Sequence, residues 1–83
     1  MNASDAMAKV LTIIGPFAKN TEALKTASAT TSILGDLGVN SARLVDIILA
    51  FEDEFDIAID DETADKIRSI GDAVEQIVAL TKG

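Results

Sequence analysis

Two groups of residues in this chain could carry chemistry. One is Ser41, in the run Asp36-Leu37-Gly38-Val39-Asn40-Ser41-Ala42-Arg43; the other is the acidic stretch that follows it. From Asp46 to Asp65 there are nine carboxylates (Asp46, Glu52, Asp53, Glu54, Asp56, Asp60, Asp61, Glu62, Asp65) and no Lys or Arg. A nucleophilic serine needs an oriented base, and the chain contains neither His nor Cys. Pairing Ser41 with Asp46 alone does not make a hydrolase, because a lone carboxylate beside an exposed serine orients nothing. A calcium loop of the EF-hand type fails on spacing, since no glycine interrupts Glu52–Glu62. Loose association of divalent ions with the acidic stretch is expected, without a built site. Without cysteine, disulfides and thiolate metal centres are excluded. By residue type alone, Ser41 is a polar residue near a helix start, where serine is common. By composition alone, the acidic run is a solvated face.

The elements that position these residues must come from a small core. Eighty-three residues allow one domain, 1–83, and a chain of that size buries only roughly 60% of the surface exposed when unfolded. Apolar residues make up 48% of the chain, too many for a disordered segment. With Phe17, Phe51 and Phe55 the only aromatics, the core is expected to be aliphatic. Fourteen acidic residues against seven basic ones give a net charge of −7, which disfavours nucleic acid and favours basic partner surfaces. Apolar runs around Val10–Ile14 and Leu44–Phe51 are too short to span a bilayer, and Met1–Asp5 lacks the basic start of a secretory signal. A cytoplasmic protein without membrane insertion is the expectation.

Helical spacing runs through the chain. Ser4 is the expected N-cap of a first helix in which Met7, Val10, Leu11 and Ile14 form one stripe, stopped at Gly15-Pro16. Residues 18–36 form a long connection, with a helical turn around Glu22–Lys25, tacked down by Leu24, Ile33, Leu34 and Leu37. Asn40 caps a second helix in which Leu44, Ile48, Phe51 and Phe55 repeat on one face, widened by Val45, Ile47 and Leu49, ending near Phe55. Ile57-Ala58-Ile59 reads as a buried connector. Asp60 or Asp61 caps a short third helix to about Lys66. Ser69, with Asp72 three residues on, opens a last helix striped by Ile70, Ala73, Val74, Ile77 and Val78. The expected fold is all-α: a small four-helix bundle, three longer helices plus one short third helix, with a long first loop.

The segment Asp36-Leu37-Gly38-Val39-Asn40-Ser41 resembles the acyl carrier protein family, whose pattern at the start of the second helix is D-L-G-x-D-S-L. Ala50-Phe51-Glu52-Asp53-Glu54-Phe55-Asp56 is similar to that family's acidic end of helix two. Ile59-Asp60-Asp61-Glu62-Thr63-Ala64-Asp65-Lys66-Ile67 is similar to its third helix. All three blocks lie in register without a gap, and the resemblance runs from about Leu34 to Ile70. Four departures stand out: Asn40 for the aspartate before the serine, Ala42 for the leucine after it, Arg43 at an often acidic position, and Asp60 for a proline. Together they point to a specialised carrier.

The resemblance implies that Ser41 is the attachment point of a covalent 4′-phosphopantetheine, donated by coenzyme A through a phosphopantetheinyl transferase. Acyl groups would travel on it as thioesters, with the core beneath the second helix opening to shelter them. A phosphodiester on a serine in the first helical turn would lie beside unpaired backbone N–H groups and the positive end of the dipole. Gly38 and Asn40 would keep the approach open, and Arg43 would add a cation. Ala42, Asp46, Glu52, Asp53 and Asp56 would form the docking strip. The implied partners are the transferase, an acyl-loading enzyme, and basic-surfaced synthases or acyltransferases of fatty acid or specialised lipid or polyketide biosynthesis. The protein is expected to be a monomeric carrier and not an enzyme. An aminoacyl or peptidyl carrier, or an unmodified acidic interaction module, are the alternatives.

Overall fold

The computed structural model describes residues 2–81. Helix α1 spans Ala3–Ile14 and runs into a 3-10 turn at Gly15–Phe17, where Pro16 occupies a first-turn position that needs no N–H donor. Its cap is Asn2, not Ser4: the Asn2 side chain accepts from the Asp5 N–H at 2.8 Å. Both are good caps, and the first one encountered starts the helix. Helix α2, Thr21–Lys25, is the expected helical turn, and brings the count of α-helices among the described residues to five, three of them long. Helix α3 spans Ser41–Phe55, α4 Asp61–Asp65 and α5 Ile70–Thr81.

Asp60 and Ser69 act as caps, as their positions imply. Asp60 accepts from the Thr63 N–H at 2.7 Å. Hydrogen bonds from the Thr63 backbone and then its side chain hold the Asp60 carboxyl below its ordinary value. Ser69 and Asp72 exchange the reciprocal bonds of a capping box, each 3.1 Å long.

Helix α1 packs chiefly on α5 and less extensively on α3. Val10, Ile14, Ile33, Leu37, Ile47, Phe51, Ile70 and Ile77 are fully enclosed between them. Two apolar expectations need correction. Val45 and Leu49 do not widen the buried face of α3 but are 62% and 56% exposed. At about 100° per residue they lie on the flank of the stripe centred on Leu44, Ile48, Phe51 and Phe55. Leu34, expected on the core, is 41% exposed, while Ile33 beside it fills the interior place.

The long connection is fastened by backbone bonds to the start of α5. Ile33 N–H donates to Arg68 O (3.0 Å), Ile70 N–H to Thr31 O (2.9 Å) and Gly71 N–H to Ala29 O (2.8 Å). Two of these bonds satisfy donors that a helix start otherwise leaves open. A Cβ on Gly71 would stand 2.7 Å from Ala29 O, so the two backbones meet there because no side chain intervenes. Gly71→Ala therefore should lower stability by about 1–3 kcal/mol, despite alanine's better helix propensity, because it forces the strap off its anchor. A thermal melt checks this, and a raised Tm would show that propensity outweighs the contact.

Candidate functional site

The turn preceding α3 is built to project Ser41. Asp36 folds back so that its carboxylate accepts from the Ser32 N–H at 2.8 Å, and the Asp36 and Leu37 N–H groups donate to Ser32 O, each at 3.1 Å. Leu37 and Val39 are buried on either side of Gly38, which turns the chain at φ 68°. That left-handed conformation suits glycine, and Lys19 Cβ closes on the same spot at 3.4 Å. Asn20 holds the neighbouring segment, its N–H donating to Leu37 O at 3.0 Å and its side-chain amide to Asp36 O at 3.2 Å.

Asn40 then caps α3, its Oδ1 accepting from the Ala42 N–H at 2.9 Å and its carbonyl from the Arg43 N–H at 2.8 Å. The amide does an aspartate's capping work without the charge. Ser41 is the first helical residue, exposed like Ala42 and Arg43, and its hydroxyl makes no hydrogen bond among the described residues. Its backbone N–H sits at the positive end of a 15-residue helix.

Ser41 opens onto a groove between α3 and α4. The groove is about 420 Å³ and is lined by Ser41, Leu44, Val45 and Ile48 on one side and Asp61, Ala64 and Asp65 on the other. It continues past Val45, Ile48, Asp61 and Ala64 into a second compartment of about 240 Å³, reaching Leu49, Glu52 and Ile59. Val45 and Leu49, placed in the core from sequence, thus form the exposed wall. They sit about 100° off the main stripe, and α4 beside them makes them line a groove instead of the core.

The other expected site residues separate. Arg43 turns away from the groove, as two residues of helix are about 200° apart. It lines a different cleft, about 480 Å³, with Pro16–Lys19 and Asn40. Its guanidinium pairs with Asp46 at 3.1 Å on an exposed face. Asp46, Asp53 and Asp56 are exposed, and Asp56 ends α3 in the left-handed region at φ 53°. Glu52 is half-buried and its Oε2 accepts from the Ile59 N–H at 2.8 Å, an arrangement that no sequence signal marks.

No helix among the described residues is long and apolar enough to cross a membrane. Compared with known proteins, the chain is 40% identical over 73 residues to the mitochondrial acyl carrier protein of Saccharomyces cerevisiae, covering 86% of this chain and 58% of that protein. It is 46% identical over 52 residues to the acyl carrier protein of Clostridium acetobutylicum, covering 63% and 68%. It thus spans less than two thirds of the length of the yeast mitochondrial relative. The fold matches the solved acyl carrier protein of Enterococcus faecalis with a TM-score of 0.79 and 31% identity, over 96% of this chain and 99% of that one. The family model for the phosphopantetheine attachment site matches residues 8–77, and by that match over most of its length the chain belongs to the phosphopantetheine attachment site family.

Proposed function

We propose that this protein is an acyl carrier whose Ser41 Oγ bears 4′-phosphopantetheine. The observation that carries this reading is an exposed, unbonded hydroxyl at the first residue of a capped helix, standing at the mouth of a groove whose α3 wall is the apolar Leu44, Val45 and Ile48. The residues present fit the group: the Ser41 side chain is exposed, and a phosphodiester on it would lie beside the Ser41 N–H at the positive end of the α3 dipole. When bound, the arm supplies a terminal thiol that holds acyl groups as thioesters.

Each residue then has a task. Gly38 and the buried Leu37 and Val39 fix the turn, and Asn40 caps the helix without placing a second negative charge beside the phosphate. Arg43 lends a cation to the same helix end from the opposite side. The chain has no base poised on Ser41, since it lacks His and Asp46 is held by Arg43. The modifying transferase must therefore remove the hydroxyl proton. Apolar cargo would lie along Leu44, Val45 and Ile48, whose aliphatic packing rearranges at modest cost.

Partners are the transferase, an acyl-loading enzyme, and synthase or acyltransferase enzymes that present Lys and Arg. On α3 they would meet Asp46, Asp53 and Asp56 around the apolar Val45 and Leu49, with Ala42 beside the arm. Exposed charges of this kind govern encounter rate more than final affinity, which suits a shuttle that must release. Reversing Asp46 and Asp53 to Lys should cut kcat/KM for transfer onto the protein about tenfold at low salt, with the deficit shrinking as salt rises. Helicity should stay intact, because the Arg43–Asp46 pair is exposed and contributes little to stability. Unchanged turnover at all salt concentrations would remove the docking strip.

The decisive test is the mass of the apo protein after incubation with coenzyme A and a broad-specificity transferase. A carrier gains one prosthetic group per chain. An unchanged mass would leave an acidic interaction module in its place.

A further inference from the structure

The carboxylate of Glu52 turns inward, and its bond to the Ile59 N–H reaches across seven residues and the left-handed turn at Asp56. This clasp lies at the far end of the groove from Ser41. Eleven residues of helix separate the two, about 16 Å at 1.5 Å per residue. Between them the α3 wall is Leu44, Val45, Ile48 and Leu49, all apolar; the clasp is where that apolar run stops. Hydrocarbon advancing from Ser41 thus meets a charge-assisted hydrogen bond, stronger than a neutral one and costly to desolvate or break.

We propose that Glu52 is the end stop of the groove: its clasp on Ile59 limits how long an apolar cargo the protein can shelter, and so sets the chain-length range of acyl groups carried stably. This rests on the reading of Ser41 as the bearer of the arm. Glu52 is then a positioning residue for the Ile59 connector and not part of the docking strip. A docking role needs the charge of Glu52; a clasp needs only an acceptor. Glutamine keeps the acceptor and loses the charge, while alanine loses both.

The test loads wild type, Glu52→Gln and Glu52→Ala with hexanoyl, decanoyl and tetradecanoyl arms from the corresponding coenzyme A thioesters. Mass measurement first confirms loading; failure to load wild type would sink the carrier reading itself. The rate of thioester cleavage by hydroxylamine then reports shelter. Loss of a charge-assisted bond shifts an opening equilibrium about tenfold. Glu52→Ala should therefore slow cleavage of the tetradecanoyl thioester severalfold, leave the hexanoyl rate unchanged, and speed amide exchange at Ile59 about tenfold. Glu52→Gln should follow wild type. Equal chain-length profiles in wild type and Glu52→Ala, or a Gln variant that behaves as Ala, would overturn the end stop. If circular dichroism shows that the Ala variant has lost helicity, Glu52→Leu, which fills the space without an acceptor, takes its place under the same criteria.

Discussion

Ser41→Ala will keep its fold and its melting temperature and will gain no prosthetic group on incubation with coenzyme A and transferase. The effect is all-or-none, because a methyl group has no oxygen to form the phosphodiester. The fold should not change, since the Ser41 hydroxyl makes no hydrogen bond among the described residues and lies in solvent. Helix capping belongs to Asn40, one residue earlier, whose bond to the Ala42 N–H is independent of the serine side chain. Alanine's higher helix propensity counts for little at the first residue of a helix, so the melting temperature should hold. Mass spectrometry reads the first result and a thermal melt the second. A variant that still gains mass would place the attachment on another hydroxyl and leave the α3 turn without its function.

Phe51→Ala will have the largest effect on stability of any single truncation. Phe51 is fully buried at the centre of the α3 stripe, with its ring centroid 6.4 Å from that of Phe55. Apart from Phe55, the buried core residues are aliphatic. Truncating a buried phenylalanine costs about 3–5 kcal/mol through lost transfer energy and the cavity left behind. A domain of this length holds about 4–12 kcal/mol in all, so the loss is a large share. Thermal melting followed by circular dichroism should show Tm lowered by about 15 °C or more. A drop of only a few degrees would mean that α1 and α5 collapse onto the void and that this core tolerates rearrangement far better than its packing implies.

Much of this architecture was legible because it is local. Periodicity at 3.6 residues identifies α1, α3 and α5, and Asn40, Asp60 and Ser69 work as caps within three residues of themselves. The Ser41 turn was equally legible, since its glycine, cap and buried flanks all lie in one short stretch. Tertiary features were not. Val45 and Leu49 are apolar residues of α3 like Ile47, and only the arrival of α4 on one side decides which of them stay exposed. Leu34 and Ile33 are adjacent and chemically alike, yet the strap onto α5 admits one of them to the core. Glu52 looked like one more acid in an acidic run. Its inward turn depends on the chain reversing at Asp56, which returns the Ile59 N–H to within 2.8 Å of its carboxylate. Ser4 lost its expected role to Asn2 because two adequate caps stood two residues apart, and composition does not rank them.

The strap between Ala29–Ile33 and Arg68–Gly71 has a consequence for biosynthesis. The segment that leads into the Ser41 turn is moored to a part of the chain made much later. Pairings this distant in sequence form only once both ends exist, and they are slow to close. On the ribosome, the strap closes only after the start of α5 has been made, while the turn's own bonds are local. An enzyme that reads the moored segment would then meet it in place only after the start of α5 has been made.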